Sequence, residues 1–147
     1  MSDQKVFCAS KAVIVKDGKF LVLKQSINGQ SFWDLPGGKI EFGESPEETL
    51  RRELMEEVRL EVNVHSILGT FHFFREKDNN QVVCITYLCT PQGDSVDITQ
   101  NPGEDDITEY RWVSKNEFLS GSFPVSSKSN IKDLVTQWNP ITTDRST

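Results

Sequence analysis

The chain has 147 residues, with 22 acidic and 16 basic side chains, a formal net charge of -6 at pH 7 and 36% hydrophobic residues. This length suits one domain, and the composition is that of an ordinary globular protein. The negative balance disfavours a long nucleic acid or an anionic membrane surface as a partner. It does not exclude a small phosphorylated ligand, because a bound metal ion can reverse the charge of a site.

The opening segment and the cysteines predict a cytoplasmic protein. No stretch approaches the roughly 18 apolar residues of a membrane span, and residues 1–11 are too polar for a secretory signal. The three cysteines, at positions 8, 84 and 89, are odd in number and form no CxxC pair. We therefore expect reduced thiols in or beside strands, and no zinc site.

The first part of the chain contains strand-forming sequence. Apolar runs predict strands over 6–15 and 20–23, and the Asp-Gly pair between them is typical of a hairpin turn. Residues 27–30 are expected to form a loop. A short strand over 33–35 should end at the proline and two glycines that follow.

A helix is predicted over residues 45–59. Ser45 can cap its N-terminus, Pro46 suits the first helical position, and Glu48 completes a capping box.

The second half of the chain alternates between strands and polar loops. Strands are predicted over 60–68, 70–75, 82–89 and 107–113, a turn at 78–80, a mostly irregular segment over 91–106, and helices over 115–119 and 130–138. Strands flanked by two substantial helices predict an α/β sandwich with a mixed sheet rather than a doubly wound parallel sheet. We expect one domain over residues 1–138, followed by a polar tail over 139–147.

One face of the first helix carries a cluster of carboxylates. Glu53, Glu56 and Glu57 stand at i, i+3 and i+4 and so share a face, beside a stripe of apolar side chains at positions 50, 54 and 58. Hard oxygen ligands of this kind suit Mg²⁺ or Mn²⁺. The alternative is a solvated, glutamate-rich helix face, which is common.

The residues around this helix resemble a known signature. From Gly38 the chain continues with five residues, Glu44, seven residues and then RELMEEVRL at 52–60. This segment closely resembles the Nudix box of the Nudix (MutT-like) hydrolases, written G, five residues, E, seven residues, REUxEExGU, where U is a bulky aliphatic residue. Every specified position matches except the last glycine, which is Arg59 here. The lead-in WDLPGG at 33–38 is also typical of the family. The resemblance implies a single Nudix domain, an α/β/α sandwich with a central mixed β-sheet.

The one departure has a physical consequence. A glycine at that position normally supports a left-handed helix end. Arg59 must adopt the same conformation at a cost of roughly 1 kcal/mol, or the helix ends differently. Because Arg52 and the three glutamates are intact, we expect metal binding to be retained.

The resemblance also implies an activity. It predicts a Mg²⁺-dependent hydrolase, with Mn²⁺ as a substitute, that cleaves the pyrophosphate linkage of a nucleoside triphosphate or another nucleoside diphosphate derivative and releases a nucleoside monophosphate. ADP-ribose or a nucleotide sugar is the alternative substrate. A non-catalytic module that senses a nucleotide is the alternative of a different class. The expected partner is a small nucleoside phosphate, with no long nucleic acid and no membrane, and a homodimer is left open.

The resemblance assigns roles to residues of the box. Metal coordination falls to three glutamates and one backbone carbonyl: Glu53, Glu56, Glu57 and Gly38. Arg52 is expected to orient a ligand glutamate. Glu44 is expected to brace Arg52 or to act as an outer ligand.

Residues outside the box complete the predicted site. The general base of this family often lies on a later loop or strand, where this chain has Glu104, Asp105, Asp106 and Glu109. We favour Glu109, because it begins a Glu-Tyr-Arg-Trp-Val strand similar to a common family segment; a solvated acidic loop is the alternative for each of the four.

Three further residues are candidate substrate contacts. Lys39 and Arg75 could meet phosphates, and Trp33 could stack on a base. Solvated surface charge is the alternative for the two cations, and core packing is the alternative for the tryptophan.

Overall fold

A computed structural model describes residues 3–27, 29–100 and 106–139. Its strands are β1 (Val6–Lys16), β2 (Lys19–Ile27), β3 (Gln30–Asp34), β4 (Gly37–Lys39), β5 (Val62–Phe74), β6 (Gln81–Pro91) and β7 (Asp106–Val113). Its helices are α1 (Pro46–Val58), α2 (Lys115–Leu119) and α3 (Ile131–Gln137).

The sheet is mixed and splits into two halves. Its strand order is β3-β2-β1-β6-β5, with β4 beside β1 and β7 beside β2. β1 runs parallel to β6, and the other pairs are antiparallel. β1 and β2 pair only next to their turn, where Val15 faces Phe20 and Lys16 faces Lys19. Farther along, β1 pairs with β4 while β2 pairs with β3 and β7. Residues 34–37 therefore cross a gap between two diverging strands.

Helices cover both faces of this sheet. The apolar stripe of α1, at positions 50, 54 and 58, is fully buried against Ala12, Ile14 and Leu21. On the other face, side chains of α2 and α3 pack in a second core with Phe20 and Phe71. Burying one large aliphatic or aromatic side chain stabilises a fold by about 1.5–3 kcal/mol. The predicted α/β/α sandwich is confirmed.

Two predicted boundaries are wrong for identifiable reasons. A loop was expected over residues 27–30, but β2 and β3 remain paired up to Ile27 and Gln30. The expectation was wrong because the polar side chains of this edge hairpin conceal the strand pattern. β5 is one strand where two were expected. Gly69, which lies between the two predicted strands, sits at a register shift of β5 with φ +155°, as glycines in strand interiors often do. The helix at 115–119 is confirmed, and α3 is one residue shorter at each end than expected.

The cysteines are free thiols in strands, as predicted. Cys8 is exposed, whereas Cys84 and Cys89 are buried. Burial raises the pKa of both buried thiols to about 12, so they are inert at neutral pH. Among the described residues, no helix combines the length and the apolar character needed to cross a membrane.

The end of α1 settles the question raised by Arg59. This residue is the C-cap and lies in the left-handed region, at φ 56° and ψ 40°, where its N–H donates to the Leu54 carbonyl. The arginine therefore takes the conformation that the family's glycine would take, and its Cβ bears the steric cost.

Replacing Arg59 by glycine should raise the free energy of unfolding by roughly 1 kcal/mol, because glycine adopts this conformation without strain. Urea unfolding followed by circular dichroism measures the change. Arg59→Ala is the matched control, since it removes the same side chain and keeps the Cβ. Equal stability of the two variants would contradict the steric explanation.

Candidate active site

The capping box fixes where α1 begins. The Glu48 N–H donates to Ser45 Oγ over 3.1 Å, and the Ser45 N–H donates to Glu48 Oε1 over 2.8 Å. Pro46 occupies the first helical position. The predicted helix start is confirmed, and it sets which residues of the following turns face the sheet and which face outward.

Arg52 gathers the acidic residues around α1. Its Nε donates to Glu44 Oε2 over 2.7 Å and its Nη2 to Glu44 Oε1 over 3.0 Å. Its Nη1 donates to Glu53 Oε2 over 2.9 Å and to Glu56 Oε2 over 3.3 Å. A bidentate arginine–carboxylate contact is strong and directional. The structure thus brings together four of the residues that the sequence singled out.

The electrostatics of this cluster follow from its contacts. The hydrogen bonds from Arg52, and then the one from Thr49 Oγ1 over 2.7 Å, lower the pKa of Glu44 to about 2. Burial raises the pKa of Glu53, against an opposing hydrogen bond from Arg52, and the charge of Glu56 raises it further. The Arg52 guanidinium thus faces these three carboxyl groups and, at 3.8 Å, that of Glu41, which leaves a surplus of negative charge when they are ionised.

Two glycines bring the backbone against this cluster. The Gly37 N–H donates over 2.8 Å to Oε1 of Glu57, which is 4% exposed. A Cβ added to Gly37 would lie 2.0 Å from the Ser10 carbonyl oxygen, and one added to Gly38 would lie 2.3 Å from Glu53 Cδ. The close approach of β4 to β1 therefore requires glycine at position 37, where a Cβ would meet backbone, whereas a Cβ at position 38 would displace the carboxyl group of Glu53.

The donor set suits a divalent cation. Carboxylates on one helix face, with one of them resting beside the Gly38 backbone, provide the oxygen ligands that Mg²⁺ and Mn²⁺ prefer. Within residues 3–27, 29–100 and 106–139, no three His, Cys, Asp or Glu side chains converge as a ready-made metal site. The reason is local, because Arg52 draws Glu53 and Glu56 to itself while Glu57 turns to the Gly37 N–H. The ligand assignment therefore stays a prediction.

Two of the predicted site residues lie on the face of the sheet that α2 and α3 cover. Cross-strand neighbours project to the same face, and Lys24 is the cross-strand neighbour of both Trp33 and Glu109. Trp33 is 4% exposed and stacks on Phe123, with ring centroids 5.7 Å apart. Glu109 forms ion pairs with Lys24 at 3.8 Å and with Arg111 at 3.9 Å.

These positions favour the core role for Trp33 and do not support Glu109 as the general base, because α1 lies on the opposite face. Of the other acidic candidates, Glu104 and Asp105 lie outside the described residues, and nothing is described of the Asp106 side chain.

Lys39 and Arg75 both lie against the ring of Phe7 rather than against the carboxylates of α1. The Lys39 ammonium lies 4.5 Å from the Phe7 ring centroid, and the Arg75 guanidinium carbon lies 5.0 Å from it. Successive strand residues project to opposite faces. Since Gly38 faces α1, Lys39 projects away from that helix. Arg75 also pairs with Asp78.

Part of the sheet beside α1 is left uncovered. Ser10 is buried, and its hydroxyl donates to the Pro46 carbonyl at the start of α1 over 2.6 Å. Cys8 lies two residues earlier on the same face and is exposed. In register, Cys8 neighbours Val83, and Val83 neighbours His72. We call the surface formed by Cys8, Val83 and His72 the open platform.

An open cavity of about 460 Å³ ends this platform at the sheet edge. Residues 128–130 extend the sheet there: the Phe74 N–H donates to the Lys128 carbonyl, and the Asn130 N–H donates to the His72 carbonyl, both over 3.1 Å. The cavity lining is His72, Phe74, Asn79, Ser127, Lys128, Ser129 and Asn130. Sequence reasoning missed this surface, because its two segments meet only through the fold.

The family model described as NUDIX domain matches residues 8–134. A MutT-like protein of Streptomyces ambofaciens is 30% identical over 105 residues, which are 71% of this chain and 61% of that protein. Phosphatase NudJ of Escherichia coli is 32% identical over 110 residues, which are 75% of this chain and 69% of that protein.

Among solved structures, the MutT protein of Methanosarcina mazei Go1 superposes with a TM-score of 0.75 at 27% identity, covering 99% of this chain and 97% of that one. The fold, the residues of the box and these matches all indicate the same family. The chain belongs to the Nudix family.

Proposed function

We propose that this protein is a Mg²⁺-dependent hydrolase that cleaves the pyrophosphate linkage of a nucleoside triphosphate and releases a nucleoside monophosphate. One observation carries the proposal: the carboxylates around Arg52 and the open platform lie on the same face of the sheet, next to each other. An anionic phosphate chain and the nucleoside attached to it thus have adjoining places. Mn²⁺ is expected to replace Mg²⁺.

The residues of the cluster would divide the work. Glu53, Glu56, Glu57 and the Gly38 carbonyl would hold the cation. When bound, such a cation neutralises charge on phosphate oxygens and lowers the pKa of coordinated water. Arg52 orients Glu53 and Glu56, and Glu44 holds Arg52 in place through two hydrogen bonds.

The open platform suits the nucleoside. Strands lie about 4.8 Å apart and rise about 3.3 Å per residue. Gly38 and His72 are separated by three strand spacings and a two-residue offset, so they lie roughly 16 Å apart on that spacing. An extended nucleotide can bridge this span. The rings of His72 and Phe74 at its end meet edge to face, 5.7 Å apart, and the face of either ring could stack on a base.

The proposal also covers the domain bounds, the cellular location and the partner of the protein. We place the domain at residues 1–138, and we propose a cytoplasmic location, supported by three free thiols in the described residues. The partner would be a small nucleoside phosphate.

A substrate panel tests the proposal. The protein is incubated with Mg²⁺ and nucleoside triphosphates, ADP-ribose, nucleotide sugars or dinucleoside polyphosphates, and the products are separated by chromatography. We expect nucleoside monophosphate from a triphosphate, and no product in excess chelator. A higher kcat/KM for ADP-ribose or a nucleotide sugar would overturn the substrate choice. Tight nucleotide binding without turnover in Mg²⁺ or Mn²⁺ would indicate a sensor.

A further inference from the structure

Lys11 is a buried cation that the proposed chemistry does not use. It lies in β1 and is 5% exposed. Its Nζ donates to Asp34 Oδ2 and to the Leu35 carbonyl, both over 3.2 Å. A charge in the interior is costly unless it is paired and hydrogen-bonded. Packing alone therefore does not explain why a lysine with these two partners occupies a buried position.

The ammonium sits where residues 34–37 cross the gap between the two halves of the sheet. Its two partners begin this crossing, and the Ala12 N–H binds the middle of it by donating to the Pro36 carbonyl over 3.0 Å. Gly37, the register partner of Lys11 in β4, ends it. β1 thus holds the crossing segment along its whole length.

The crossing segment leads directly to the carboxylates. Gly37 donates to Glu57, and Gly38 forms the backbone surface against which Glu53 rests. A shift of residues 34–36 would therefore move both contacts together. Lys11 lies behind them, on the opposite face of the sheet from α1.

Lys11 also interacts electrostatically with the carboxylates of this region. Burial works to lower the pKa of Lys11, but attraction to Asp34, with smaller contributions from Cys84 and Glu57, leaves that pKa above its ordinary value. The lysine is therefore a permanent cation at neutral pH.

We propose that Lys11 is a positioning residue for the metal-binding carboxylates: by holding Asp34 and Leu35 it fixes the 34–37 crossing, and thereby the backbone contacts of Glu57 and Glu53. The inference rests on the proposed function in one respect, namely that these carboxylates bind a divalent cation.

Mn²⁺ binding to the full chain without substrate tests this role, with electron paramagnetic resonance reporting free Mn²⁺. Lys11→Met should weaken Mn²⁺ affinity by about tenfold or more, as loss of residues that orient metal ligands commonly does. Lys115→Met is the matched control, because Lys115 Nζ likewise donates to two acceptors, here the backbone carbonyls of Thr136 and Trp138, far along the chain from the box. It should bind Mn²⁺ like the wild type.

A double variant keeps the test valid if Lys11→Met folds poorly. In that variant the partly buried Asp34 carboxylate lacks its cation, so Lys11→Met combined with Asp34→Asn should recover thermal stability and still bind Mn²⁺ weakly. Wild-type Mn²⁺ affinity in the folded double variant would overturn the positioning role and leave the proposed function standing. Failure of the wild type to bind Mn²⁺ would overturn both.

Discussion

Replacing Glu53 by glutamine is expected to lower kcat/KM by roughly 1,000-fold, since a bound cation contributes several kcal/mol to such a transition state and each 1.36 kcal/mol is tenfold in rate. Glutamine keeps the size of the side chain, and its carbonyl oxygen can still accept the hydrogen bond from Arg52. It lacks the charge that would hold a cation beside Gly38. Initial rates with the best substrate of the panel measure the effect.

The stability of this variant should move the other way. Burial raises the pKa of Glu53 in the folded state, so the ionised carboxylate opposes folding at neutral pH relative to a group with its ordinary pKa. A neutral glutamine removes that cost, and the melting temperature should stay level or rise. Lost activity together with retained stability separates a functional residue from a structural one.

Glu47→Gln is the matched control on the same helix. Glu47 is half-exposed and pairs with Arg51 at 3.0 Å, one turn away from the cluster. Its replacement should leave kcat/KM within about twofold, because an exposed ion pair contributes little. Full activity of Glu53→Gln, or an equal loss in both variants, would contradict the assigned role of Glu53.

Replacing Gly38 by alanine is expected to lower kcat/KM by about 100-fold, because a misplacement of about 1 Å in a reacting site can cost that much. The new Cβ would lie 2.3 Å from Glu53 Cδ. The atom in the way belongs to the end of a flexible side chain, so the carboxylate should move and the backbone should stay. We therefore expect near-normal circular dichroism with impaired catalysis.

Gly93→Ala provides the comparison. Apart from Gly93 itself and its two chain neighbours, no heavy atom of the described residues lies within 4 Å of a Cβ built at Gly93, and the φ of Gly93 is not in the left-handed region. This variant should keep full activity. Wild-type activity of Gly38→Ala would contradict the described contact with Glu53, and its unfolding would show that the clash is taken up by the backbone.

Local features of the site could be predicted from the sequence. The Ser45–Glu48 capping box and the shared face of the α1 glutamates depend on residues a few positions apart, whereas the left-handed conformation was one of two alternatives for Arg59. Such contacts are determined by helix geometry and by the conformational preferences of single residues. The sequence pattern was therefore sufficient for the start of α1 and for the residues that share each of its faces.

Features that depend on the sheet could not be predicted in the same way. Which face Glu109 occupies depends on its pairing with Lys24 and on a register shift next to that pair, and a one-residue change of register reverses the face. The contact of Lys11 with Asp34 spans 23 positions and exists only because β1 and β2 diverge. The cavity likewise joins β5 to residues 127–130.

The most direct measurement is nucleoside monophosphate release by the metal-stripped wild-type protein while Mg²⁺ is titrated back. If the carboxylates around Arg52 recruit the cation on which pyrophosphate cleavage depends, no product forms without metal, and the rate returns with saturation as Mg²⁺ is added. The same rate of release in excess chelator would contradict a metal-dependent hydrolase.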